Sequence, residues 1–269
     1  MAGVDVAPAP TVFVGHGSPM FAVEENVFRC RWADLAARLG RPAAIVCVSA
    51  HWISLGVQVS GARKPDTIHD FVGFPRELYD IRYPAEGSPS LAGRICNLLG
   101  DADASIEPSR GLDHGAWTVL RAMYPDASVP VVQLSLDLTR SPAQHYELGA
   151  RLAPLRDEGI VILASGNVVH NLPAHTRQVP GAVPWGERFD RRVRELIERG
   201  DHLALTSEAL EDDDAVLSVP TAEHFLPLLY VLAVRRAGDR LTVFNEGVRG
   251  AVSMTSYLFE TGAPMSGRP

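Results

Sequence analysis

Three histidines follow short apolar segments that have the composition of buried β-strands. His16 stands in the motif GHGSP, His51 in SAHW and His170 in SGNVVHN, each directly after such a segment or a few residues beyond it. In open α/β sheets, ligands bind beyond the carboxyl ends of the strands, so the three side chains can converge on one point. A single histidine in such a place is more often a structural residue. Three at one edge predict a metal site, because neutral imidazole is a ligand for zinc, iron, copper and nickel.

A fourth histidine, His224, lies in the sequence EHFLPLLYVL. Proline is tolerated only in the first turn of a helix, so the helix that contains Pro227 is expected to begin no earlier than about Glu223. This places His224 at the helix N-terminus, where side chains lean back toward the preceding loop. Glu223 suits the positive end of the helix dipole, and ligation of the metal by its carboxylate is the alternative that stays open.

His114 and His69 are candidates for contact with a substrate. His114, in LDHGAW, precedes a predicted helix and is either a proton-transfer group or a neighbour of the helix cap. His69 belongs to a long segment, residues 61 to 87, that is rich in proline, glycine and aromatic residues. We expect a semi-rigid lid there, and the alternative is a structural loop whose aromatic rings pack on the core. The side chains available to line an aromatic pocket are those of His69, Phe71, Phe74 and Tyr79.

Two competing interpretations of the motif around His16 fail on detail. A glycine-rich loop after a strand can cradle phosphate, but neither G-x-x-x-x-G-K-[ST] nor G-x-G-x-x-G is present. The same loop suggests a serine hydrolase, but no serine of the chain stands in G-x-S-x-G. Metal chemistry is therefore the better prediction for this loop.

Short apolar runs alternate with longer amphipathic ones along the chain, which is typical of a sheet covered by helices. The sequence predicts a single α/β domain with a mostly parallel or mixed central sheet and helices on both faces. The predicted strands are Thr11–Val14, Ala44–Ser49, Val57–Ser60, Val129–Leu134, Ile160–Ala164 and Leu241–Phe244. The predicted helices are Phe28–Leu39, Ser88–Leu99, Gly115–Met123, Pro142–Arg156, Trp185–Arg199 and a stretch after Glu223.

Length and composition restrict the class of protein. The 269 residues fit one large domain, with the catalytic domain expected over residues 11–260 and a flexible leader over residues 1–10. A net charge of −7 argues against a nucleic-acid partner, and the longest strongly apolar stretch is too short to span a membrane. The three cysteines form no C-x-x-C pair, and the N-terminus lacks the features of a signal peptide, so we expect a reduced, cytoplasmic protein.

Taken together, these motifs resemble those of the class III extradiol ring-cleavage dioxygenases, specifically the subgroup similar to DOPA 4,5-dioxygenase. The matching segments are GHGSPM, SAHW, TIHDFVGFP, LDHGAW, ASGNVVHNL and EHFLPLLYVL, which extend over nearly the whole chain. Any one of these segments would be weak by itself, but the set is specific.

The resemblance implies a small catechol substrate, O₂ and one divalent metal per subunit. The metal would be bound by His16, His51 and His224, with His170 facing it as a further ligand or as the base for the catechol hydroxyl. It also implies iron(II) as the active metal, while zinc can occupy the site in isolated protein. Other class III enzymes place a glutamate where this sequence aligns His224, which leaves open whether Glu223 contributes. His114 is the second candidate for acid–base catalysis, or an anchor for a substrate oxygen.

The same ligand set would also serve a zinc hydrolase, in which the metal lowers the pKa of bound water to about 7. Only an iron(II) dioxygenase should consume O₂ with a catechol. A non-catalytic, metal-binding descendant is a second alternative, and the presence of His114 and His170 beside the ligands argues against it. The substituent on the catechol, the bond that is cleaved and the formation of a homo-oligomer are not specified by the sequence.

Overall fold

A mixed eight-stranded sheet forms the centre of the molecule in the computed structural model, which describes residues 7–100, 104–176 and 181–262. In chain order the strands are β1 Thr11–Gly15, β2 Ala44–Ile53, β3 Val57–Ser60, β4 Ala104–Glu107, β5 Val131–Leu136, β6 Ile160–Gly166, β7 Asp239–Phe244, β8 Val248–Arg249, β9 Val252–Ser253 and β10 Ser256–Thr261. The sheet has the order β4-β3-β5-β2-β6-β1-β10-β7, and β8 and β9 form a separate hairpin.

The four central strands β5, β2, β6 and β1 are parallel, and antiparallel pairings join β3 to β5, β10 to β1 and β7 to β10. The parallel strands end at the same edge, where β1 and β6 stay in register as far as Gly15 and Gly166. This edge therefore receives the loops that carry the predicted metal ligands.

Helices cover both faces of the sheet, which confirms the predicted fold class. They are α1 Val27–Leu39, α2 Arg76–Tyr79, α3 Pro89–Leu99, α4 His114–Met123, α5 Pro142–Arg151, α6 Leu172–Thr176, α7 Pro184–Arg199, α8 Asp213–Ser218 and α9 Leu226–Val234. One face packs against α1 and α4 around Trp32 and Trp117, and the other packs against α3, α5, α7 and α9. Residues of β6 alternate between these two cores, as the period of a strand requires.

All six predicted strands are present, with ends that differ by a few residues. The main difference is that β2 continues to Ile53, so that His51 lies within the strand and not after it. Strands β4 and β10 were not predicted. The first is a short edge strand of mixed polarity, and the second has only three consecutive apolar residues, Tyr257–Phe259.

The helix predicted over Pro142–Arg156 is shorter in the structure. It ends at Arg151, and the chain continues as a 3-10 helix over Ala153–Glu158, because Pro154 has no N–H to donate to an α-helical bond. Around Pro227 the prediction was close: α9 begins at Leu226 and a 3-10 turn, Ala222–His224, precedes it.

The expected flexible leader is only partly described, because residues 1–6 lie outside the described residues. Ala9 is buried, its N–H donates to the carbonyl of Arg156 at 2.7 Å, and its own carbonyl accepts from Arg156 Nε at 2.7 Å. The end of the leader is thus anchored to the domain by hydrogen bonds that the sequence did not reveal. Among the described residues, no helix combines the length and the apolar character needed to cross a membrane.

A fully buried ion pair joins the first residue of β7 to the 3-10 helix before β6. The Arg156 guanidinium donates to both carboxylate oxygens of Asp239, at 2.6 and 3.0 Å, and to the carbonyls of Ala9 and Val234. Because the guanidinium is completely removed from water, loss of its counter-charge leaves an unpaired buried cation.

We therefore expect Asp239→Asn to lower the free energy of unfolding by about 3–5 kcal/mol. The matched control is Asp157→Asn, which breaks an ion pair of the same bidentate form, with Arg236, on the exposed surface. Denaturant unfolding of the three proteins measures the difference. Equal, small effects of the two substitutions would contradict the assignment of the buried pair as a structural anchor.

Candidate metal centre

Three histidine side chains meet at the carboxyl edge of the parallel strands. His16 directly follows β1, His51 lies near the end of β2, and His224 is in the 3-10 turn before α9. Each offers one ring nitrogen, and these three atoms all lie within 4.8 Å of one another. The Nε2 atoms of His16 and His51 are 3.1 Å apart. The structure therefore brings together the three residues that the sequence singled out as metal ligands.

Glycine makes this close approach possible. The backbone of His224 crosses over the end of β6, where its carbonyl accepts a hydrogen bond of 2.9 Å from the N–H of Asn167. A Cβ atom at Gly166 would stand 2.2 Å from that carbonyl oxygen, and one at Gly15 would stand 2.8 Å from the backbone of Met254. Any larger residue at either position would push the ligand-bearing segments away from the sheet edge.

Hydrogen bonds made by Nδ1 determine which ring nitrogen of His16 and of His224 faces the centre of the histidine group. Ser165 Oγ lies 2.6 Å from the carbonyl of Gly115, to which it donates, so at 3.0 Å it accepts from Nδ1–H of His16. Glu223 Oε1 lies 3.1 Å from His224 Nδ1 and likewise accepts from it. A neutral imidazole with a proton on Nδ1 keeps its lone pair on Nε2, and that pair is free to bind a metal.

Burial keeps these rings uncharged. It lowers the pKa of all three below the ordinary histidine value of 6.5, and neighbouring histidines lower the pKa of His16 and His51 further. Burial alone would raise the pKa of Glu223, but hydrogen bonds from His224 and Thr221 lower it to about 2, so its carboxylate stays charged. The site therefore presents neutral imidazoles, the form that binds metals, near neutral pH.

The arrangement fits a metal ion. Imidazole nitrogens bind zinc at about 2.0–2.1 Å, so two of them at a right angle around one ion stand roughly 2.9 Å apart. The observed separation of 3.1 Å between His16 and His51 is close to this value. His224 Nε2 is buried and finds no hydrogen-bond partner among the described residues, which is the condition expected of a ligand atom.

His170 lies next to His224. Its ring stacks on that of His224 with the centroids 3.4 Å apart and the planes 9° apart. One ring nitrogen of His170 and one ligand atom each of Glu223 and His224 lie within 4.8 Å of one another, so these residues form a second group that could hold a metal ion. His170 lines the same cavity as the three histidines. Burial, together with the nearby His224, lowers its pKa to about 3.

His114 is held by a carboxylate that the sequence analysis did not single out. Asp70 Oδ1 lies 3.0 Å from His114 Nδ1 and accepts from its backbone N–H at 2.9 Å, and Oδ2 lies 3.7 Å from His51 Nδ1. Burial alone would raise the pKa of Asp70, but the hydrogen bonds from His114 outweigh this and lower it. The neighbouring Asp113 is a helix cap: it accepts from the N–H of Ala116.

A cavity of about 740 Å³ opens over the histidines. Its apolar walls include the rings of Phe21, Phe28, Phe71 and Phe74. The predicted Phe74 therefore lines the cavity, and the segment from residue 61 to 87 forms part of its wall. His69 does not line it among the described residues. Its Nε2 lies 3.1 Å from the carbonyl of Ile81, and its ring packs against Phe71, Tyr79 and Trp117.

Several cavity residues were missed by the sequence analysis. They are Gly17, Ser18, Pro19, Phe21, Phe28, Asp70, Leu172, His175, Arg249, Val252 and Met254. Asp70 follows His69 directly, so its place in a long functional loop was the one available signal. Arg249 belongs to the C-terminal hairpin, and Met254 lies between β9 and β10; no local pattern reveals the return of this segment to the sheet edge.

Comparison with known proteins identifies the family. Residues 10–242 match the family described as the catalytic LigB subunit of aromatic ring-opening dioxygenase. The chain belongs to this family. A relative from Escherichia coli K12 named 4,5-DOPA dioxygenase extradiol is 46% identical, with 92% of this chain and 93% of the relative covered. A protein of the same name from Beta vulgaris is 35% identical over 93% of this chain and 96% of its own length.

A solved structure agrees with this assignment to the LigB family. The crystal structure of an uncharacterized protein from Escherichia coli K12 is similar with a TM-score of 0.79 and 39% sequence identity, covering 94% of this chain and all of the other. The chain is therefore an extradiol aromatic ring-opening dioxygenase, as the resemblance implied. His16, His51 and His224, from three separate segments, form a group that could hold a metal ion.

The geometry predicts different effects for substitutions of two adjacent residues. We expect His224→Ala to abolish stoichiometric metal binding, because it removes a ligand nitrogen. Glu223→Ala should keep the metal and weaken its binding about 10–100-fold, the usual effect of removing a group that orients a ligand. Elemental analysis and competition with a chelator measure both values. If Glu223→Ala loses the metal while His224→Ala retains it, the carboxylate is the third ligand.

Proposed function

We propose that this dioxygenase opens the ring of a catechol in the extradiol position, using iron(II) bound by His16, His51 and His224, to give a semialdehyde product. The observation that carries the proposal is the convergence of three imidazoles, two buried and that of His51 half-buried, at a cavity with aromatic walls. DOPA, the substrate in the names of the relatives from Escherichia coli and Beta vulgaris, is the first catechol to test.

The proposed ligand set suits this reaction. His16, His51 and His224 would hold iron(II), which would supply the redox chemistry that couples a catechol to O₂. The aromatic side chains of the cavity would enclose the substrate ring. Phe71 and Phe74 are available to contact the faces of a planar ring, and the aromatic walls restrict the access of water to the reacting carbon atoms.

His170 is the proposed base for the catechol hydroxyl. Its pKa is lowered to about 3, so the ring is neutral at pH 7 and one ring nitrogen carries a free lone pair. Stacking on His224 fixes the ring beside the proposed metal position. The two stacked histidines thus have separate proposed roles, metal binding for His224 and proton transfer for His170.

His114 is the proposed second acid–base group, or the anchor of a substrate oxygen. Asp70 Oδ1 lies 3.0 Å from Nδ1 of His114, so a proton on Nδ1 would face this carboxylate and leave the lone pair of Nε2 available to a hydroxyl group of the substrate. The backbone hydrogen bond from His114 to Asp70 further fixes this pair. Asp70 acts through His114 and is a positioning residue.

The proposed function is tested by reconstitution with iron(II) under nitrogen, followed by addition of air-saturated buffer and a catechol. The catechols to compare are DOPA, caffeate, protocatechuate and 4-methylcatechol. We expect O₂ consumption with formation of a coloured semialdehyde, and no reaction in metal-free protein. Absence of O₂ uptake with every catechol, in protein that has bound iron, would contradict the proposal and leave the zinc hydrolase as the alternative.

The role of His170 gives a sharper prediction. We expect His170→Ala to lower kcat by about 10²–10⁴, the usual contribution of general acid–base catalysis, while the iron content stays near that of the parent. His145→Ala is a suitable control, because this buried histidine bonds to Tyr230 and Asp137 away from the cavity. Full loss of iron in His170→Ala would show that His170 is a ligand.

A further inference from the structure

Arg249 is the only lysine or arginine among the described residues that line the cavity. The two carboxylates of the lining, Asp70 and Glu223, are already engaged by His114 and His224. Arg249, in contrast, has no carboxylate partner among the described residues. Its guanidinium carbon lies 5.9 Å from the ring centroid of Phe28, another wall residue, and the side chain is exposed at the mouth of the cavity.

The β8–β9 hairpin determines where Arg249 points. Arg249 pairs with Val252 in the hairpin, and Val252 forms an antiparallel bridge with His170. Directly paired residues share one face, so the three side chains form a row, and all three line the cavity. Paired Cα atoms are about 4.5–5.5 Å apart, which puts Arg249 about 10 Å from the proposed base. A catechol bound beside His170 would extend its side chain along this row.

The hairpin is held firmly enough to position a charge. Gly250, the first residue of its two-residue turn, has a positive φ of 57°, which a tight hairpin requires and other residues rarely adopt. The turn carbonyls of Gly250 and Ala251 accept from the N–H groups of Val183 and Asn171, each at 3.0 Å. The backbone of Arg249 is thereby fixed relative to the segment that carries His170.

His175 supplies a second donor at the same end of the cavity. Its Nδ1 accepts from the N–H of Ala251 at 3.4 Å, so a neutral ring carries its proton on Nε2. His175 also lines the cavity. An arginine fork beside a ring N–H is a donor set suited to a carboxylate.

We propose that Arg249, together with His175, binds the carboxylate on the side chain of the catechol substrate and selects anionic over alkyl catechols. This inference rests on the proposed function, since it takes the ring to be bound beside His170. Arg249 is a specificity residue and takes no part in proton transfer.

The experiment compares 3-(3,4-dihydroxyphenyl)propionate, 4-ethylcatechol and dopamine, which share the ring and carry an anionic, a neutral and a cationic side chain. For the parent, Arg249→Gln and Arg249→Glu, kcat/KM is measured with each substrate in iron-loaded protein. The dissociation constant of each catechol is also measured by calorimetry under nitrogen, where no turnover occurs. The control Arg94→Gln removes the same charge from a surface arginine that pairs with Glu158.

We expect Arg249→Gln to lower the preference for the propionate at least about tenfold, mainly through KM, as loss of a charge-assisted hydrogen bond requires. Arg94→Gln should keep the preference of the parent. Arg249→Glu should shift the preference toward dopamine, because its side chain is cationic. A misfolded protein would lose activity with every catechol, so it could not produce this shift. The inference is overturned if Arg249→Gln changes the preference less than twofold in both measurements. If the parent binds these catechols but consumes no O₂, the proposed function is refuted. The dissociation constants from calorimetry then still test whether Arg249 binds the carboxylate.

Discussion

The site depends on the convergence of three neutral imidazoles in a buried place. Burial disfavours the charged form of each ring, and hydrogen bonds from Nδ1 of His16 to Ser165 and of His224 to Glu223 leave Nε2 facing the centre. Nitrogen lone pairs that face one another in this way are satisfied only when a proton or a metal ion lies between them. The close backbone contacts at Gly15 and Gly166 allow these rings to approach one another. The rings meet at the edge where the parallel strands end.

Much of this arrangement could be predicted from the sequence. The fold class follows from alternating apolar and amphipathic segments, and the strand ends locate His16 and His51 because ligands of parallel sheets bind at that edge. Pro227 limits where the last helix can begin and so predicts His224 at its N-terminus, and the structure places it in the 3-10 turn before that helix. These inferences succeed because each depends on a local rule with a known structural consequence.

The remaining features depend on contacts between distant segments. No spacing rule shows that His170 stacks on His224, or that Asp70 bonds to His114 across 44 residues. The hairpin that carries Arg249 lies beside His170 only after β10 has inserted between β1 and β7. For His69 the prediction differs from the structure. Its place in an aromatic loop predicted contact with the substrate cavity, but in the structure its ring faces the carbonyl of Ile81.

The most direct test of the metal centre is X-ray absorption spectroscopy of protein loaded under nitrogen with one equivalent of iron(II). The structure predicts three imidazole nitrogens at about 2.1 Å, with the scattering pattern of histidine rings, and the remaining positions filled by water. Four imidazoles would place His170 among the ligands. Two imidazoles with a protein carboxylate would assign the third position to Glu223. Either result would contradict the separation of metal binding from proton transfer on which this account depends.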